Sequence, residues 1–169
     1  MLKEISKILL TRGQQQYDGE GVSQLEHALQ CAYLAQQAKS TPSAIASCLL
    51  HDLGHLLPGV IPHQDNALPI LTAIFKPEVT EPIRLHVEAK RYLCSVDPQY
   101  YLTLSLASQH SLARQGGKFS QAESANFLAQ PYATLAIQLR RWDDQAKVVG
   151  LVTPDLEHFI NTIQVLCNN

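Results

Sequence analysis

The chain lacks any apolar run near the roughly 18 residues that a bilayer-spanning helix needs, and its opening Met1-Leu2-Lys3-Glu4 has no apolar stretch of the secretory type. A membrane protein is therefore not expected, and neither is a secreted one. The four cysteines, Cys31, Cys48, Cys94 and Cys167, lie far apart and form no CxxC pair. That argues against a disulfide framework and points to reduced, mostly buried thiols in a cytoplasmic protein. There is no block of like charge: Lys and Arg are scattered, never more than two together, and the net charge is −2. A nucleic-acid footprint and a polybasic membrane patch are both missing. Strand signals are nearly absent, and no repeat, linker or low-complexity tract divides the 169 residues. One all-α domain over residues 1–169 is the expectation.

Helix signals, by contrast, recur. Apolar residues make up 46% of the chain and charged residues 17%, enough to build a core without staples. Leu2 to Leu10 reads as a short amphipathic helix stopped by Gly13. A polar segment from Gln14 to Gly21 follows, unusual in holding Tyr17 and Glu20. Ser23-Gln24-Leu25-Glu26 is a capping box, and Leu25, Leu29, Ala32, Tyr33 and Gln36 continue at helical spacing. Thr41-Pro42 opens the next helix, with Gly54 as its stop. The spacing predicts further helices from about His63 to Phe75, from Thr80-Glu81-Pro82 through Tyr92, and from about Thr103 to Ala113. Ser120-Gln121-Ala122-Glu123 is a second capping box. Helices after Pro131 and from Thr153-Pro154 complete a compact bundle of about eight or nine.

Several polar residues do not fit the core of such a bundle. His27, His51, His63, His86 and His110 sit in or beside apolar helical stretches. A single histidine of this kind is ordinarily a hydrogen-bonded core or surface residue, so the case for metal rests on the set. Its centre is Leu49-Leu50-His51-Asp52-Leu53-Gly54-His55. An adjacent His and Asp at the end of an apolar helix are costly to bury unpaired. A divalent metal removes that cost, because imidazole nitrogen and carboxylate oxygen both become ligands. A plain His–Asp hydrogen bond is the alternative.

These residues resemble the HD-domain superfamily, helical metalloproteins with a scattered H…HD…D pattern. His27, His51-Asp52 and Asp143 fill it in order, with His63 and His86 between. The resemblance narrows over residues 14 to 150. The strings Gln16-Tyr17-Asp18-Gly19-Glu20, Val79-Thr80-Glu81-Pro82, Lys90-Arg91-Tyr92 and Arg140-Arg141-Trp142-Asp143-Asp144 are similar to those of the PhnZ-type phosphonate-degrading HD oxygenases. The resemblance implies an HD-domain bundle with six ligands, His27, His51, Asp52, His63, His86 and Asp143, Asp52 bridging two irons in the mixed-valent Fe(II)/Fe(III) state. It implies a reaction too: O2-dependent cleavage of the C–P bond of 2-amino-1-hydroxyethylphosphonate, or an N-substituted analogue, to glycine and phosphate. Tyr17 and Glu20 resemble a mobile pair in which the tyrosine holds an iron position until substrate arrives and the glutamate recognises the amine. Ser108 stands where a family serine touches the phosphonate, although Gln109-His110 departs from the pattern. The segment between Asp52 and His63 is also shorter than the family's, so His63 is the best candidate rather than a clean match.

An anionic phosphonate needs cationic and hydrogen-bonding groups beside the metals. Residues three or four apart share a helical face. His55 lies four after His51, Lys90 four after His86, and Arg140 three before Asp143. Each is thus expected about a turn from a proposed ligand. Asp144 competes with Asp143 for the last ligand position. Arg84, Arg91 and Arg141 read as surface or ion-pair residues, and His110 as surface. A metal-dependent phosphohydrolase, in which the metals activate water against a phosphate ester, is the main alternative to the oxygenase. A silent metal-binding domain is the third reading.

Overall fold

The first turn of the chain begins a helix because Ile5 and Leu9, four apart, fall on one face and are buried there. In the computed structural model, which describes residues 1–17 and 19–167, this is α1, Leu2–Arg12. The polar segment that follows folds back on itself. Tyr17 N–H donates to the Val22 carbonyl at 2.9 Å and Gln24 N–H to that of Gln15 at 2.9 Å, pairing Gln16 with Ser23. That pair is the only β-bridge among the described residues. The Ser23 capping box then starts α2, Gln24–Gln37, with the Ser23 N–H donating to Glu26 at 2.7 Å and the Glu26 N–H to Ser23 Oγ at 3.1 Å. Thr41 caps α3, Pro42–Leu50, which ends earlier than Gly54 and passes into a 3-10 helix, Leu53–Leu56.

The expected helix from His63 to Phe75 is instead two single turns, α4 (His63–Asn66) and α5 (Leu68–Leu71). Pro69 has no N–H to donate to Asp65 and disfavours helical torsions at Leu68, so the run breaks at Ala67. α6, Pro77–Val96, starts before the expected Thr80-Glu81-Pro82, on Lys76-Pro77, and runs through Pro82. Two proline signals competed there, and the earlier one is the true first turn. Asp97 then caps a helix the sequence pattern did not reveal, α7 (Pro98–Thr103), and Ser105 rather than Thr103 begins α8 (Leu106–Arg114). The second capping box opens α9, Gln121–Leu128. Tyr132, in the left-handed region at φ 69°, turns the chain into α10, Ala133–Gln145. Asp155, not Thr153, caps α11, Leu156–Ile163, and a 3-10 turn, Gln164–Leu166, follows. Nine of these eleven α-helices have six or more residues. The all-α expectation holds.

α6 is the spine. It packs along α10 and α3, while α2 packs on α3 and α10. Val79 and Ile83 at its start enter the main core with Leu49, Leu50, Leu139 and Phe159. Leu85 and Ala89 meet Phe127, Ala133 and Ala136; Leu93 and Cys94 meet Tyr100, Leu104 and Leu112. His86 and Lys90 sit between these apolar positions, so the helix that organises the core also carries polar groups into it. Cys31, Cys48 and Cys94 are buried and, like Cys167, unpaired. Among the described residues no helix is long and apolar enough to cross a membrane.

Candidate metal centre

His27 comes from the first turn of α2, His51 from the end of α3 and Asp52 from the residue after it. His63 is the first residue of α4, His86 lies in the middle of α6, and Asp143 is near the end of α10. All but His63 are buried. Apart from the adjacent His51 and Asp52 they are far apart in sequence, and helix packing brings the side chains to one point.

The tautomers follow from the backbone. His27 Nδ1 lies 2.8 Å from the Ala146 carbonyl, His51 Nδ1 2.8 Å from that of Cys48, and His86 Nδ1 2.6 Å from that of Ile83. A carbonyl only accepts, so each Nδ1 carries the proton and each Nε2 presents a lone pair inward. These nitrogens face ring nitrogens. His27 Nε2 is 3.2 Å from His51 Nε2, and His63 Nε2 is 3.0 Å from His86 Nε2. Two facing lone pairs repel unless a proton or a cation lies between them.

The carboxylates divide along the same line. Asp52 Oδ2 is 3.7 Å from His27 Nε2 and 3.4 Å from His51 Nε2. Asp52 Oδ1 is 3.3 Å from His63 Nε2 and 3.7 Å from His86 Nε2. One aspartate thus joins two donor groups through opposite oxygens. Asp143 Oδ1 adds to the first group, 3.4 Å from His27 Nε2. Asp52 Oδ2 and Asp143 Oδ1 are buried without any hydrogen-bond partner, the mark of an unmet electrostatic demand.

Titration points the same way. Burial holds His27 and His86 below the ordinary imidazole value, and it takes His63 down to about 4. Burial also opposes ionisation of Asp52 and Asp143, but His51 beside the first and Arg140 beside the second outweigh it and keep both well below the carboxylate range. For His51, burial disfavours charge, yet the Asp52 carboxylate lifts it to about 10. Neutral imidazoles beside ionised carboxylates are the donor set of a divalent cation. The proton that His51 would otherwise hold can relieve only one of the two opposed pairs. The residues fit two metal ions.

Above this cluster opens a cavity of about 520 Å³, lined by Tyr17, Glu20, His55, Lys90, Ser108 and Arg140 together with Asp52, His63, His86 and Asp143. The sequence-predicted residues therefore converge, but not all by the predicted route. His55 is not on a helix face with His51, because α3 has ended; the 3-10 helix carries it, with its ring stacked on His63 at 4.0 Å and Nε2 3.8 Å from Asp52 Oδ1. Lys90 is buried, as its spacing from His86 predicts, and donates to Ser111 Oγ at 2.7 Å. Burial and the nearby Arg140 lower it to about 8. Arg140 donates to Asp143 Oδ2 at 2.6 Å and also pairs with Asp144, which accepts from the Tyr100 hydroxyl. Asp144 thus braces Arg140 behind the cluster. Arg91 also lines the cavity, and its guanidinium is held on the Gly116 and Gly117 carbonyls, over the Phe119 ring and 3.5 Å from Glu123. His110 is exposed.

Tyr17 stacks flat on His27, ring centres 4.0 Å apart. Burial, then Asp52 and Asp143, push its phenol well above 10. Glu20 meets a partner that sequence reasoning missed: Lys147 Nζ lies 3.1 Å from Glu20 Oε1 and 3.0 Å from Ser108 Oγ. The only local signal for Lys147 is its position four residues after Asp143, beyond the end of α10.

The HD domain family matches residues 25–144, a span that opens just before His27 and closes just after Asp143. Hydroxymethylphosphonate dioxygenase of Gimesia maris is 44% identical over 169 residues, covering 94% of this chain and 84% of the relative. [1-hydroxy-2-(trimethylamino)ethyl]phosphonate dioxygenase (glycine-betaine-forming) of Leisingera caerulea is 36% identical over 170 residues, 95% of this chain and 87% of the relative. An uncharacterized protein of Acanthamoeba polyphaga mimivirus is 32% identical over 161 residues, 88% of this chain and 74% of that protein.

Proposed function

The chain belongs to the HD domain family, and from that premise we propose that it is an O2-dependent oxygenase cleaving the C–P bond of a small 1-hydroxyphosphonate. The observation that carries this reading is the pair of donor groups joined through Asp52 at the floor of a cationic cavity. The names of the two dioxygenase relatives favour it over a phosphohydrolase. His27, His51, Asp52 and Asp143 would hold one ion; Asp52, His63 and His86 would hold the other. Two irons in the Fe(II)/Fe(III) state, when bound, supply the O2 activation and the electron transfer.

The remaining work belongs to the protein's own groups. Lys90 Nζ, the Ser108 hydroxyl and His55 Nε2 bind phosphonate oxygens as donors. Arg140, held charged by Asp143 and Asp144, adds positive potential from behind. Tyr17 closes over His27 and keeps water out of the reacting volume. The overall reaction balances without an outside reductant. One hydroxyphosphonate dianion and one O2 give one carboxylate, one phosphate and one proton. The substituent at C2 is the finer question: the two relatives are named for hydroxymethylphosphonate and for a trimethylamino compound, and a primary ammonium, as in 2-amino-1-hydroxyethylphosphonate, lies between.

The test is phosphate release by iron-loaded protein from 1-hydroxyphosphonates, with O2 consumption followed in parallel. One O2 consumed per phosphate is expected. Release that continues at the same rate under strict anaerobiosis overturns the proposal and returns the hydrolase.

A further inference from the structure

Among the described residues, Glu20 is the one anionic group of the cavity rim that lies on the Gln14–Val22 loop, and the resemblance described above makes it the partner of a substrate ammonium. In this protein it is already taken. Its Oε1 accepts from Lys147 Nζ at 3.1 Å and from the Ser105 hydroxyl. Both side chains are mostly shielded, 15% exposed for Glu20 and 11% for Lys147, so the pair is stronger than a solvent-exposed one. Burial would raise the Glu20 carboxyl, but the Ser105 hydroxyl and the Lys147 ammonium outweigh it and hold it below the usual range.

Lys147 is not a loose surface arm. The residue before it accepts from His27 Nδ1 at 2.8 Å, through the Ala146 carbonyl. The residue after it is clamped at both backbone groups by the buried Gln30: Val148 N–H donates to Gln30 Oε1 at 2.9 Å, and Gln30 Nε2 donates to the Val148 carbonyl at 2.8 Å. The Lys147 backbone is therefore fixed to α2 on either side. Its ammonium also reaches Ser108 Oγ and lies 5.6 Å from the centre of the Tyr17 ring. Glu20, Lys147 and Tyr17 all fall outside the span matched by the HD family.

We propose that Lys147 is a specificity-determining residue: as the built-in counter-ion of Glu20 it neutralises the subsite beside Tyr17, and the site accepts a 1-hydroxyphosphonate with no charged nitrogen. This rests on the oxygenase reading above. A substrate ammonium entering this subsite meets a carboxylate already satisfied and a fixed like charge beside it, whereas an uncharged carbon displaces nothing. Discrimination then comes from the repulsive element as much as from the contacts made. At the phosphonate end Lys90 is independent of this pair, whereas Ser108 Oγ accepts from Lys147 Nζ at 3.0 Å, so a change at Lys147 touches phosphonate binding equally for both substrates and cancels in their ratio.

The experiment compares kcat/KM for hydroxymethylphosphonate and for 2-amino-1-hydroxyethylphosphonate in the wild type, Lys147→Met and Lys147→Arg. Calorimetry on the metal-loaded proteins, with the unreactive ethylphosphonate and 2-aminoethylphosphonate, runs beside it. The wild type should prefer the uncharged member of each pair by about tenfold or more. Lys147→Met, which frees Glu20, should shift that preference toward the aminated member by a similar factor, and Lys147→Arg should leave it in place. A wild-type preference for the aminated compounds overturns the inference. So does an equal loss on both compounds in Lys147→Met, which would make the lysine a simple anion-binding residue. If neither hydroxyphosphonate releases phosphate with O2, the oxygenase reading falls instead, while the calorimetric pair still decides the role of Lys147.

Discussion

At the scale of single residues, Asp52 matters most because its two oxygens serve different histidine pairs. Asp52→Ala should therefore empty both groups, whereas His63→Ala should leave about one ion per chain of two. Metal analysis of the purified proteins distinguishes these outcomes, and one retained ion in Asp52→Ala would contradict the shared ligand. Lys90 makes a second residue-scale prediction. An exposed lysine keeps its proton until about pH 10.4, but this one is lowered to about 8 by burial and Arg140. Its ammonium is present below that pH and lost above it, so affinity for a phosphonate should fall as pH rises through about 8. A bound anion favours the charged form and moves the limb upward. Titrating ethylphosphonate binding across that range checks it, and Lys90→Met should bind weakly with no alkaline limb of its own.

At the scale of elements, the two short turns between α3 and α6 decide whether the second histidine pair can form. Gly54 in the 3-10 helix is packed against the first residue of α4, and a Cβ there would lie 1.9 Å from the His63 carbonyl oxygen. Asn66, at the other end of α4, donates to the Gly54 carbonyl at 3.1 Å. The segment is thus pinned at both ends, which is how so short a connection still delivers His63 to His86. Gly54→Ala must push α4 away. The expected result is a folded protein with normal helical circular dichroism that holds the His27–His51 ion and loses the other. Unchanged occupancy of both groups would show that the backbone can yield there without moving His63.

At the scale of the molecule, the candidate metal centre is a seam. It ties α2, α3, α4, α6 and α10 together, and two of its buried carboxylate oxygens have no other partner. A ligand that binds only the folded state adds about 2.7 kcal/mol when present at 100 times its dissociation constant. For a chain of this size each kcal/mol moves Tm by roughly 2–4 °C. Chelation should therefore lower Tm by several degrees, and restoring iron should recover it. An unchanged Tm after verified metal removal would mean that protons satisfy the cluster as well as metal does.

What the sequence determined by itself is what depends on neighbours three or four residues apart. The Ser23 and Ser120 capping boxes, the Thr41 cap and the His86–Lys90 spacing are local hydrogen-bond and helix-face arithmetic, and each is present in the folded chain. The adjacent His51 and Asp52 could be singled out because a buried imidazole beside a carboxylate is costly without a cation; the other four candidate donors came from the resemblance to the HD pattern, not from any local physical signal. The tertiary structure alone decided what those groups meet. Lys147 and Glu20 are 127 positions apart, and no pattern in the chain pairs them. Arg140 spends its charge on Asp143 and Asp144, and His55 reaches the cavity from a 3-10 turn after its expected helix has ended. Local signals write the elements and set the spacing of the candidate donors; packing between distant elements sets which charges are already satisfied.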